Sequence, residues 1–282
     1  MDEIKKSEIP LEKFEVRNLI LFILIAFGWT WLFYLPSILS PTGGGRTSTG
    51  NIELHILILE IIGNFGPLVG AVSLTFINEG KEGIKQLWKR FWNFHIKKKW
   101  VIVIFLLFPI MSGIAFLTAI FTEGLILELI WLSQPWLLIL WFFMLFTFAG
   151  GLAEEFGWRG YAIDRLQAKY NALYSSILLG VIWAFWHLPF WFVSGSSHQK
   201  SSFLWFLVFV IFLSILYTWI YNNTEGNLLA STIFHAMSNL AIIIIFPLGQ
   251  TSNGILYYTL IIIIFAVLIM IIFNPKTLKH NL

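Results

Sequence analysis

Cysteine is absent from the 282 residues, so no disulfide framework, thiol nucleophile or thiolate metal site is available to this chain. Charge is also scarce: Asp, Glu, Lys and Arg make up 12% of the residues, about half the share of an ordinary soluble domain. The formal net charge is only +3, which is too little and too scattered for a nucleic-acid-binding surface. No small-residue cleavage site follows the first apolar run, and that run is too long for the core of a signal peptide. What is present instead is apolar and aromatic. Hydrophobic residues reach 58%, aromatic residues 18%, and the mean hydropathy is +0.80. These values describe an integral membrane protein.

Runs long enough to cross a bilayer as helices fall at Leu19–Leu39, Ile52–Ile77, Trp100–Phe121, Trp136–Arg159, Leu173–Val193, Phe203–Tyr221, Leu228–Leu248 and Ile255–Phe273. The expected fold is therefore an all-α integral membrane protein of about eight transmembrane helices around a polar intramembrane cavity. Its parts would be a polar N-terminal segment (1–16), an eight-helix membrane domain (17–275) and a C-terminal tail (276–282). Within the domain, segment 79–99 interleaves Lys81, Lys85, Lys89, Arg90 and Lys97–Lys99 with Leu87, Trp88, Phe91, Trp92 and Phe94. That pattern predicts an amphipathic helix lying on an anionic leaflet, with membrane lipid as its partner. Lys and Arg crowd the N-terminus, 79–99, 159–169 and the C-terminus, whereas the opposite loops hold only Arg46 and Lys200. The positive-inside rule then gives a multi-pass cell-membrane protein with both termini cytoplasmic.

Ionisable groups inside such spans are costly and are candidate functional sites by default. Three clusters qualify. The first is Glu154-Glu155-Phe-Gly-Trp-Arg159, at the end of the fourth span. Glu155 and Arg159 stand four apart, share a helical face and suit a buried ion pair. Glu154 points about 100° away, has no local counter-ion, and is the candidate general base. The second, Trp183-Ala-Phe-Trp-His187-Leu-Pro189, puts a histidine deep in an aromatic helix just before a proline. The third, His235-Ala-Met-Ser-Asn239, places two hydrogen-bonding side chains on one helical face. Each alone has a bland explanation: helix capping, a bond to a backbone carbonyl, or interhelical glue worth about 0.6 kcal/mol per bond. Three such clusters on three spans, with few other polar groups in the membrane, favour a common site. Glu60, on the second span beside Gly63-Asn64-Phe65-Gly66-Pro67, lacks such a motif and reads as a packing residue.

In order and spacing, these clusters resemble the CPBP membrane proteins, also called the CAAX protease and bacteriocin-processing, or Abi, family. The likeness covers roughly 151–239, the expected core, and extends more weakly to Asn64–Pro67. Trp183 stands where some members carry Phe, a conservative exchange. The resemblance implies a glutamate-dependent intramembrane endopeptidase with no covalent intermediate and no cofactor. Glu154 would activate water, His187 would orient it or relay its proton, His235 and Asn239 would stabilise the oxyanion, and Glu155 and Arg159 would support the architecture. The implied partner is a peptide or protein substrate, membrane-associated or lipidated. No nucleic acid is expected, and oligomeric state is left open. Glu154, His187 and His235 could instead ligate zinc, but the His-Glu-x-x-His spacing is missing. A non-proteolytic scaffold, immunity or secretion-accessory role in the same family is the alternative class. A proton relay is a third, although no internal inverted repeat accompanies the buried acids. Counted along the helices, His187 falls about 20 Å from the cytoplasmic start of its span and Glu154 only about 7 Å, so either the span boundaries are off by several residues or, as expected here, the fourth helix continues past Arg159.

Overall fold

The computed structural model describes residues 16–44, 53–125 and 127–279, and among these the chain is helical with no β-strand. The expected polar segment 1–15, Gly45 and the rest of the first loop to Ile52, and the last residues from 280 lie outside the described residues. Among the described residues twelve α-helices follow in order: α1 (Val16–Leu39), α2 (Leu54–Asn64), α3 (Gly66–Phe91), α4 (Lys98–Glu123), α5 (Ile130–Ser133), α6 (Trp136–Thr147), α7 (Gly151–Gly157), α8 (Ile163–Gln167), α9 (Ala172–Trp186), α10 (Phe203–Asn223), α11 (Leu228–Leu240) and α12 (Gly254–Ile272). Seven stretches are long and apolar enough to cross a membrane, and α2 with α3 supplies an eighth if the bent pair counts as one span. The protein is an all-α membrane protein.

The second span breaks within the predicted loosening stretch. Pro67, at the start of α3, has no N–H to continue the ladder, and α2 and α3 meet at Phe65 with a bend of 43°. Further along, Gly80 leaves helical geometry at φ +67°, a conformation that glycine adopts without the penalty of a Cβ. Lys81 to Arg90 lie on the helical segment that follows this break, and Lys97–Lys99 lead into α4. The apolar face of that helical segment is covered by protein: Leu87 and Phe91 are buried, and Trp88 and Phe91 pack on Phe156 of α7. Only Trp92 and Phe94 stay exposed as a lipid-facing belt would require. Arg90 reaches inward to Asp164 at 3.0 Å and to Tyr221, so it ties the helix ends together.

The fourth span differs most from its sequence reading. It is one 34-residue stretch from Trp136 to Lys169, but the helix is interrupted at Phe148–Gly150 and widens to a π-helical turn over Trp158–Ala162. Continuation past Arg159 removes the apparent mismatch in depth. Measured from Lys169, Glu154 lies about 22 Å along its stretch, and His187 lies about 22 Å from Ala172. The interruption frees backbone carbonyls, which hydrocarbon cannot satisfy. Asn64 Nδ2 donates to the Phe148 carbonyl at 3.1 Å and Asn239 Nδ2 to the Ala149 carbonyl at 3.1 Å.

Candidate active site

Glu154 and Glu155 sit on consecutive positions of α7, both buried, and face different partners. Trp183 Nε1 donates to Glu154 Oε2 at 2.6 Å, and Trp158 Nε1 donates to the same oxygen at 3.2 Å. Two indoles on one oxygen fix the carboxylate and leave Oε1 to the cavity that Glu154 lines. Glu154 thus has no local counter-ion but does have a local donor, since Trp158 is four residues on. Trp183 is more than an aromatic spacer. Phenylalanine could pack there but could not donate, so the exchange is not conservative in this chain.

Glu155 Oε1 accepts from Arg159 Nη1 at 3.0 Å and lies 2.8 Å from His235 Nδ1. Both the glutamate and the arginine are fully buried. The guanidinium carbon also lies 4.6 Å from the centre of the Tyr217 ring and 5.1 Å from that of Trp183, which places the cation against π faces. The spacing read from sequence gives the Glu155–Arg159 pair. It gives no sign that Glu155 also holds a histidine on α11. With Nδ1 facing the carboxylate, Nε2 is the atom of His235 left for chemistry.

His187 is not deep inside a helix. α9 ends at Trp186, and His187 caps it before a 3-10 turn begun by Leu188 and Pro189. Its Nδ1 lies 2.9 Å from the Trp183 carbonyl, which can only accept, so Nδ1 carries the proton. In the neutral ring Nε2 is then an acceptor. The bond to a backbone carbonyl and a role in the site therefore coexist in one residue.

Glu154, His187, His235 and Asn239 line a single cavity of about 580 Å³, together with Trp183 and Asn64. Glu155 and Arg159 lie behind its wall. Gly150 is at the point of closest approach. It has φ +112°, and a Cβ built there would come within 2.5 Å of His235 Nε2 and 2.8 Å of Asn239 Nδ2. Only a glycine lets the interrupted backbone pass this close to the histidine and the amide. Asn64, in sequence part of a helix-loosening stretch with a weaker family likeness, lines the cavity and accepts from the Tyr34 hydroxyl at 2.9 Å. His198, in the α9–α10 connection, also lines the cavity and drew no attention in the sequence because no motif surrounds it. Burial pushes its imidazole down to about 4. Glu60 is a buried packing residue that accepts from the Ser37 hydroxyl at 2.5 Å. Among the described residues no three His, Asp or Glu side chains converge as a metal-binding group.

The fold and this constellation define a class: a helical membrane protein with acids, imidazoles and amides gathered around one cavity. A family model described as type II CAAX prenyl endopeptidase Rce1-like matches residues 134–241, the stretch from α6 to α11 that carries all six motif residues. A CAAX prenyl protease 2 from Methanococcus maripaludis is 28% identical over 220 residues, covering 74% of this chain and 80% of that protein. Both matches support the likeness to the CPBP family that the motifs carry.

Proposed function

We propose that the protein is an intramembrane endopeptidase that hydrolyses a peptide bond with water activated by Glu154, as its relative's name, CAAX prenyl protease 2, suggests. The observation that carries this reading is the one cavity shared by Glu154, His187, His235 and Asn239. A water held by Glu154 Oε1 and His187 Nε2 gives its proton to the carboxylate as its oxygen attacks the carbonyl carbon of the scissile bond. The carbonyl oxygen becomes an oxyanion. His235 Nε2 and Asn239 Nδ2 donate to it, which requires His235 to be protonated on both nitrogens with Glu155 as the counter-charge. One such donor is commonly worth about 10²–10³ in rate. Collapse of the tetrahedral intermediate breaks the C–N bond, and the proton taken from water passes to the leaving amine. No metal and no covalent enzyme intermediate enters this sequence.

Trp183 and Trp158 are positioning residues for Glu154. Glu155 and Arg159 position His235 and hold α7 to α11. Both termini are taken as cytoplasmic on the distribution of Lys and Arg. Quantitative peptide profiling of membranes from cells carrying the unmodified protein or Glu154→Gln tests the reading. Cleavage products that vanish with the variant, at equal accumulation, support it. An unchanged peptide profile together with a retained cellular phenotype supports the scaffold alternative.

A further inference from the structure

The cavity occupies one half of the bundle only. On α10 it is lined by Phe206, Phe209, Val210 and Leu213, all in the first half of that helix. On α9 it touches only the last turn, and on α1 only Tyr34, near the C-terminal end. The connection that follows α9 supplies the rim, where Gly195 and Ser197 are both exposed. Glu154 and His235 lie at the inner end of this space. Beyond them Trp158, Arg159, Tyr217 and Phe234 are all at most 1% exposed and close the route to the opposite end.

The closed end is the one that gathers the Lys and Arg side chains. There Arg90 pairs with Asp164 at 3.0 Å, Arg165 with Glu79 at 3.1 Å and Lys97 with Glu225 at 3.7 Å, and the Lys276 carbonyl accepts from the N–H of Ala172. The sequence assigns to the connections at the cavity end only Arg46 and Lys200 among its basic residues. By the positive-inside rule the closed end faces the cytoplasm. Ile243, on the span Leu228–Gln250, also lines the cavity and is 46% exposed. We infer that the cavity is entered from the non-cytoplasmic half of the membrane, past Ser197 and Ile243, and that its substrate is an apolar polypeptide segment lodged in the outer leaflet. A prenylated C-terminus presented from the cytoplasm would meet the closed end. This inference takes the proposed hydrolysis at Glu154 as given and adds the side and the substrate class.

Because the chain has no cysteine, a single introduced thiol reports its side cleanly. In intact cells a membrane-impermeant maleimide is expected to label Ser197→Cys and to label Lys97→Cys only after permeabilisation. In parallel, unmodified protein in sealed right-side-out and inverted vesicles is given a fluorogenic apolar peptide with a charged, impermeant tail. Cleavage is expected at least tenfold faster in right-side-out vesicles, with the difference abolished by detergent. Labelling of Ser197→Cys only after permeabilisation, or cleavage confined to inverted vesicles, overturns the entry side and leaves hydrolysis intact. External labelling of Ser197→Cys with no cleavage in either orientation or in detergent overturns the hydrolase reading on which the inference rests.

Discussion

Trp183→Phe separates packing from hydrogen bonding at the candidate base. Phenylalanine retains an aromatic face for the Arg159 guanidinium, which lies 5.1 Å from the Trp183 ring, and retains ring packing toward Tyr217 and His235. It removes one thing of chemical consequence, the indole N–H that donates to Glu154 Oε2 at 2.6 Å. A hydrogen bond to a charged group contributes about 1.5–3 kcal/mol, and its loss leaves the carboxylate free to turn away from the water it must activate. If that energy is realised in the transition state, the rate falls by about 10- to 150-fold. Trp158→Phe is the internal comparison. Its N–H is 3.2 Å from the same oxygen, so the effect should have the same sign and be smaller. The assay is single-turnover cleavage of one defined peptide, with folded protein matched by size-exclusion profile and thermal unfolding. Trp183→Phe cleaving within twofold of the unmodified protein would refute the positioning role, as would Trp158→Phe proving the more damaging of the two.

Three other perturbations follow from the same geometry. Arg159→Ala removes the guanidinium from buried Glu155 and leaves His235 as its remaining partner, so a loss of up to about 3–5 kcal/mol is expected, read as lower accumulation and a lower melting temperature; a variant as stable as the unmodified protein but inactive would give Arg159 a chemical role instead. Gly150→Ala forces a methyl group to within 2.5 Å of His235 Nε2, so hydrolysis should be lost while the protein still inserts and is extracted as a folded species, and near-normal turnover would contradict the placement of His235 against Gly150. His198 binds its proton more weakly when folded, at about 4, than in an unfolded chain, near 6.5, so its contribution to stability is complete above pH 6.5 and is lost as pH falls toward 4; His198→Gln should flatten the acid-side decline of the melting temperature, and an unaltered decline would show that other groups set it.

The long apolar runs and the spacing of Glu154, Glu155 and Arg159 made the fold class and one ion pair legible, because hydropathy and helical period act locally along the chain. Asn64–Pro67 announced a weak point for the same reason, and the helix does break there. The interruption at Phe148–Gly150 was not legible. It lies in an unbroken apolar run, and the groups that satisfy its carbonyls, on Asn64 and Asn239, are about ninety residues away in either direction. The link from Glu155 to His235 and the indole of Trp183 on Glu154 are likewise contacts between elements, which no periodicity encodes. His187 misled in a subtler way. Its proline signalled the end of the helix, but a residue before proline reads equally well as the last buried turn, and only the cap geometry shows that the ring stands at the helix end with one nitrogen toward a carbonyl. The basic stretch 79–99 reads as an interfacial helix by composition, and the contacts of Trp88 and Phe91 with Phe156 are again links between elements that composition does not encode.

The central claim is that Glu154 is the base, and Glu154→Gln tests it most directly. Glutamine keeps the shape and still offers an amide oxygen to the Trp183 and Trp158 indoles, so the fold should survive. In single-turnover cleavage of one defined peptide at matched folded protein, the expected result is loss of hydrolysis with substrate binding retained. Cleavage by Glu154→Gln at near the unmodified rate would contradict the account at its core.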